Sequence, residues 1–392
     1  MNHYRLSSRA KALFVSTALS TALAVGTALL IATPAAAATV RPQVGQALKA
    51  AIADANAGRG EAAAEEIRKA EGVGNLTSGE EQAIEQTKSY VAAKTGNTSA
   101  GGGSAVVAKA RFANDYRAGR YNDVVGPDAD MLRKYGAMDA QSQVIIAQAY
   151  YLMHDYDQCM HMVRDMGGGN QVALELLMRC AYETHDENTM QSALEQLVVD
   201  YNQPKYWSDL LDSADRTAGM SNPDTLDVFR LRLLTGTMKG GSDYQTAAEI
   251  AIQLGFPSEG AAIAQKGLDL KLLDQNRGQR LLTLAKQAAA ADLANLPKAA
   301  AAASAAKTGD ASVKLGEDYW SMGRYRDAVE TIKSGVAKGV SGPDEAQIRL
   351  GMAYIGLRER DAALHALNAV SKSAPQHTKT IARLWSIYAR TH

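Results

Sequence analysis

Near its C-terminus the chain repeats itself with a fixed period. Leu315-Gly316-x-x-Tyr319, followed by Ala328 and Ile332, returns 35 residues later as Leu350-Gly351-x-x-Tyr354, followed by Ala363 and Leu367. Within each copy the apolar positions fall at three- and four-residue spacing, the signature of helices with one buried face. A unit this short cannot bury that face alone and must stack on its neighbours. The chain is thereby constrained to an array of helix pairs, which points to an extended recognition surface rather than an enzyme pocket.

The period also assigns packing roles. Gly316 and Gly351 leave room for a neighbouring helix, Tyr319 and Tyr354 fill the wedge between paired helices, and Ala328 and Ala363 let the second helix cross the first. Earlier segments carry related patterns. Gly119-Arg120-Tyr121-x-Asp123-x-Val125 matches Gly323-Arg324-Tyr325-x-Asp327-x-Val329, and both read as turns between two helices. Another copy runs Ile146-Ala147-x-x-Tyr150, then Tyr156, Cys159 and Val163. Thr77-Ser78-Gly79-Glu80 reads as a capped helix start. No convincing alternating strand appears, and only four Phe and nine Pro accompany abundant Ala.

These residues resemble the tetratricopeptide repeat, whose first helix carries Leu-Gly-x-x-Tyr and whose second carries Ala and an aromatic or aliphatic residue. The match is good for 309–392, fair for 105–204 and weak elsewhere. It departs from the pattern at Arg358, where the turn Gly is missing, and after Ile332, where the closing Pro is missing. The segment 378–392 looks like the first helix of an unfinished repeat, capping the stack. The resemblance implies an all-α, helix-turn-helix repeat solenoid. More loosely, the chain is similar to exported repeat proteins of Gram-negative bacteria, which implies a periplasmic location.

The N-terminus supports export on its own. Arg5, Arg9 and Lys11 precede an uncharged, mostly apolar run from Ala12 to Ala32, and Pro34 precedes Ala36-Ala37-Ala38. This is the pattern of a signal peptide cleaved before Thr39. The expected organisation is a signal peptide at 1–38, an N-terminal helical subdomain at 39–98, a divergent helical-repeat region at 105–306, and C-terminal repeats with a capping helix at 307–392. Ser99 to Ser104, with three consecutive glycines, reads as the linker between the first two folded regions. Residues 280–306 are very Ala-rich, which suits tight helix stacking.

Charge and chemistry narrow the function classes. Without the leader's three basic residues the chain carries 39 basic against 42 acidic residues, a formal charge of −3. That is no footprint for nucleic acid, and no second long apolar run suggests a membrane span after leader removal. Ser304-Ala-Ala-Lys307 and Lys307-Thr308-Gly309 echo penicillin-recognising enzymes, but they share one lysine and no Ser-Asp-Asn accompanies them. Met153-His154 and Cys159-Met160-His161-Met162 raise soft-metal binding, yet Cys159, Val163 and Met166 share one helical face and read as core. No metal, cofactor or catalytic residue is therefore expected. Cys159 and Cys180 fall on consecutive helices, where an oxidising compartment lets them bridge if their Cα atoms lie within about 7 Å. Otherwise they are two small buried residues that never meet.

The sequence thus leads to a periplasmic scaffold that binds a protein or peptide partner in a helical groove; the alternative is a permanent structural or assembly subunit of an envelope or transport complex. The resemblance places ligand-facing residues on the first helices, beside the packing stripe. That gives Val313, Glu317 and Trp320 in one repeat, Ile348, Met352 and Ile355 in the next, Lys379 on the terminal helix, and Gln148 and Tyr151 in the earlier copy. Trp320 is the expected anchor for a partner; the competing expectation is that Trp320, Met352 and Ile355 are covered by the protein's own helices.

Overall fold

The computed structural model describes residues 40–97, 105–167 and 170–392. The expected signal peptide at 1–38 and the stretch from Ser99 to Ser104 read as a linker lie outside the described residues. Among those described, every regular element is helical, and no helix is long and apolar enough to cross a membrane. The chain divides into two compact units, one ending at Asp139 and one running from Ala140 to His392.

The first unit contains α1 (Pro42–Asn56), α2 (Gly60–Glu71), α3 (Ser78–Thr95), α4 (Ala105–Arg117), α5 (Tyr121–Asp123), a π-helical turn (Val124–Asp128) and α6 (Ala129–Lys134). Val44, Leu48 and Ala51 of α1 pack with Ile67 of α2 and with Ile84 and Val91 of α3. Thr77 and Glu80 form the capping box expected at the start of α3. Helices α3 and α4, which flank the Gly-rich stretch, pack on each other within this unit.

The second unit runs through α7 (Ala140–Leu152), α8 (Tyr156–Asp165), α9 (Gln171–Glu183), α10 (Glu187–Tyr201), α11 (Pro204–Ala214), α12 (Asn222–Thr235), α13 (Gly241–Gln253), α14 (Pro257–Asp269), α15 (Gln275–Ala305), α16 (Asp310–Ser321), α17 (Tyr325–Lys338), α18 (Pro343–Gly356), α19 (Arg360–Asn368) and α20 (Gln376–Thr391). Cys159 of α8 and Cys180 of α9 are joined as a disulfide, with Cα atoms 6.6 Å apart. Helix α20 packs on α18 and α19. Its far side is covered too, by α10 and α12.

One turn makes the pairs. Gly58, Gly119, His154, His185, Gly255, Gly323 and Arg358 all have left-handed backbone, with φ between 58° and 83°. After each, the next residue's N–H donates to the carbonyl five positions back, at 2.8 to 3.0 Å. This hydrogen bond satisfies a carbonyl that the helix end would leave orphaned and folds the chain back on itself. Arg358 therefore supplies the turn that the sequence pattern lacks there; a non-Gly residue in this region is uncommon and is held by the bond that follows it. The same turn recurs at His154 and His185, where no glycine marks it. The same turn also closes α6, α12 and α14 at joints between pairs.

The glycines of the repeat pack as their spacing implies. A methyl group added at Gly316 would lie 2.4 Å from Ile332 Cγ1, and one at Gly351 would lie 2.5 Å from Leu367 Cγ. In an open helix Gly→Ala stabilises by about 1 kcal/mol. Here the clash reverses the sign: Gly351→Ala is expected to lower stability by about 1–3 kcal/mol, read from thermal or denaturant unfolding. A stabilised variant would contradict this packing.

Candidate functional site

Helix α12 carries the second unit's most unusual sequence, Leu226-Asp227-Val228-Phe229-Arg230-Leu231-Arg232-Leu233, in which three charges sit among apolar residues. The structure buries all three. Asp227 is 1% exposed and Arg230 4% exposed. Burying a charge without a partner is costly, so these side chains must be paired, and the pairs come from distant helices.

Asp227 accepts from Arg230 Nη1 at 2.7 Å and from Arg349 Nη1 of α18 at 2.5 Å. Arg230 also donates through Nε and Nη2 to both carboxylate oxygens of Glu259 on α14, at 2.7 and 2.6 Å. Arg349 Nε lies 2.6 Å from Glu317 Oε1 on α16. Five residues thus tie α12, α14, α16 and α18 into one network. Burial opposes the charge on Arg230, but Glu259 and Asp227 more than offset it and raise its pKa. Aromatic rings complete the cluster: the Arg230 guanidinium lies 4.5 Å from the Trp320 ring centroid and 5.3 Å from that of Phe256.

Two spaces adjoin this network. The inner one, about 10 Å³, lies among Trp320, Met352, Ile332 and the charged residues and has room for about one water. The outer one, about 210 Å³, has an apolar wall of Pro223, Leu226, Leu254 and Phe256 and a polar side formed by Lys314, Glu317 and the two arginines. Lys314 stands at its mouth, 47% exposed. Its ammonium is 3.6 Å from the Phe256 ring centroid and donates to the Leu254 carbonyl at 3.1 Å.

The expected groove residues divide on this geometry. Glu317 and Trp320 do converge, on Arg349 and Arg230. Ile348 and Met352, at 4% and 2% exposure, are core and offer no surface to a partner. The period marks which face of α18 they occupy and not whether that face is buried. Trp320 is partly buried and donates from Nε1 to the Met352 carbonyl at 3.2 Å, so it holds its own neighbours. Val313 packs into the cluster around Ile332. Ile355 and Lys379 are partly buried and line neither space, and the same holds for Gln148 and for Tyr151, whose ring packs against Tyr156 at 5.6 Å. Among the described residues no group of three or more His, Cys, Asp or Glu side chains is placed to hold a metal.

No protein-family model matches the sequence, and no curated protein matches it. Among solved structures, the chain is similar to the one titled "Crystal structure of APC/C hetero-tetramer Cut9-Hcn1". The identity is 13%, the TM-score is 0.22, and the match covers 81% of this chain and 59% of that one. That overlap is loose. The repeat assignment rests on the turns and helix pairs described above.

Trp320 is the residue whose role changes most. Trp320→Ala removes the ring over Arg230 and the bond to Met352, and is expected to destabilise the chain by about 2–4 kcal/mol. Unfolding followed by circular dichroism measures this. A variant that melts like the parent would return Trp320 to the role of a surface anchor.

Proposed function

We propose that this chain is a non-catalytic, exported repeat scaffold that holds a protein or peptide partner in the cell envelope, with a partner side chain seated in the outer space beside Phe256 and Lys314. The observation that carries this reading is the composition of that space. Its arginines and Glu317 are already committed to ion pairs, so they form a fixed polar rim rather than groups free to move protons. Its apolar wall and its size suit one large side chain, and Lys314 and Pro223 leave the mouth exposed. A mixed apolar and polar surface favours a partner that comes and goes.

A second reading, a permanent assembly subunit, is favoured by α15. Leu284 and Leu293 are 56% and 59% exposed on this 31-residue helix, and exposed apolar surface of that kind is what a permanent partner covers.

The test places a photo-crosslinking residue at position 314, with a control at Leu293, in protein expressed in its native envelope. The proposal expects a discrete protein adduct from position 314. An adduct from position 293 alone would support the permanent subunit, and none from 314 would contradict the proposed site. Export rests on the leader pattern: N-terminal sequencing of envelope-located protein is expected to begin at or near Thr39, and an intact Met1 would contradict it.

A further inference from the structure

The first unit replaces three packing positions of the repeat with ionisable groups. Aligning the two matching turns, Gly119-Arg120-Tyr121 and Gly323-Arg324-Tyr325, sets Arg111, Asp115 and Asp128 where the C-terminal repeat has Leu315, Tyr319 and Ile332. Ile332 is fully buried, and so is Asp128. The helix that carries Asp128 widens into a π-helical turn that ends on that residue, where its counterpart α17 runs unbroken. Single π-turns within helices are rare and recur at functional sites.

We propose that Asp115 and Asp128 form a proton-sensitive clasp: one proton held between them packs the π-helical turn onto α4, and its loss loosens that turn. The two carboxylates meet at Arg111, whose Nε lies 2.7 Å from Asp128 Oδ1 and 3.6 Å from Asp115 Oδ2, yet neither oxygen of Asp128 has an aligned hydrogen-bond donor. A protonated Asp128 becomes a donor itself and bonds to the Asp115 carboxylate, which an ionised one cannot do. Asp115 is held ionised from the other side by Arg120, whose Nε donates at 3.0 Å. The same arginine in the later repeat stacks on Tyr319 instead.

The remaining charges nearby do not cancel an ionised Asp128. Asp123 adds negative charge on α5 and is 3.9 Å from Arg120, while Asp130 and Arg133 of α6 pair with each other in solvent. Lys109 of α4 pairs with Asp139, and Tyr116 and Tyr121 pack ring to ring at 5.7 Å. With Asp128 neutral, Arg111 and Arg120 balance Asp115 and Asp123; with it ionised, one buried negative charge is in excess. Burial first, then the bond to Asp115 and its charge, raise the Asp128 carboxyl from 3.8 to about 7. Because the folded chain holds this proton more tightly than the unfolded one, the contribution to stability is largest below about pH 4. It falls as pH rises towards 7 and stays lost above it.

Hydrogen exchange of the full chain, corrected for intrinsic rates, tests the clasp. Protection over 121–134 is expected to fall by roughly tenfold or more between pH 5.5 and pH 8, while the counterpart 325–338 changes little. Asp128→Asn and Asp128→Ile are both expected to remove that difference. Equal protection of the native chain at both pH values would overturn the proposal, and so would a pH dependence that survives in both variants. If the variants do not fold, infrared spectroscopy of the native protein decides. A protonated-carboxyl band at pH 6 that disappears by pH 8.5 supports the clasp, and its absence at pH 6 overturns it.

Discussion

Everything in this fold depends on a backbone hydrogen bond that only a left-handed residue permits. When a helix ends with one residue at positive φ, the following N–H reaches the carbonyl five positions back, and the chain leaves at a fixed angle. Seven helix pairs turn this way. The angle brings the second helix across the first, and the crossing point is where Gly316 meets Ile332 and Gly351 meets Leu367. Side-chain identity elsewhere can drift as long as that crossing stays close.

This explains which parts were legible in the sequence. The C-terminal pairs read clearly because their crossing glycines, Gly316 and Gly351, and the tyrosines three residues on recur at one fixed spacing. The middle was harder because His154 and His185 stand where a glycine would announce the turn; polar residues tolerate left-handed backbone only when the bond after them forms, which periodicity cannot reveal. Arg358 shows the same point, since its missing glycine suggested a break and the backbone makes the turn regardless. The all-α repeat class was therefore readable, and so was the copy around Tyr150 and Cys159, while the turn at His185 became visible only in the backbone.

The candidate site was half legible. The helical stripe brought Glu317 and Trp320 to attention, and both do converge on the charged network. Ile348 and Met352 lay on the same stripe but are core, because spacing identifies a helix face and not what covers it. Arg349, between them in the chain, bonds to Asp227 of α12, 122 residues earlier. Asp227 and Arg230 were missed: the signal available was charge within an apolar helix, which the repeat pattern does not weigh. Their partners on α14 and α18 follow from the way the second unit folds back, so no local pattern could name them.

That return gives the second unit its particular character. Arg349 of α18 reaches Asp227 of α12, and the larger space beside that contact is the outer one, walled by Phe256. The account stands or falls on the contact between Asp227 and Arg349. A double-mutant cycle with Asp227→Asn, Arg349→Met and the double variant, measured by denaturant unfolding, tests it directly. Buried, hydrogen-bonded charges in contact are expected to couple by about 1–3 kcal/mol. Additive effects, with coupling below about 0.5 kcal/mol, would contradict the contact between Asp227 and Arg349.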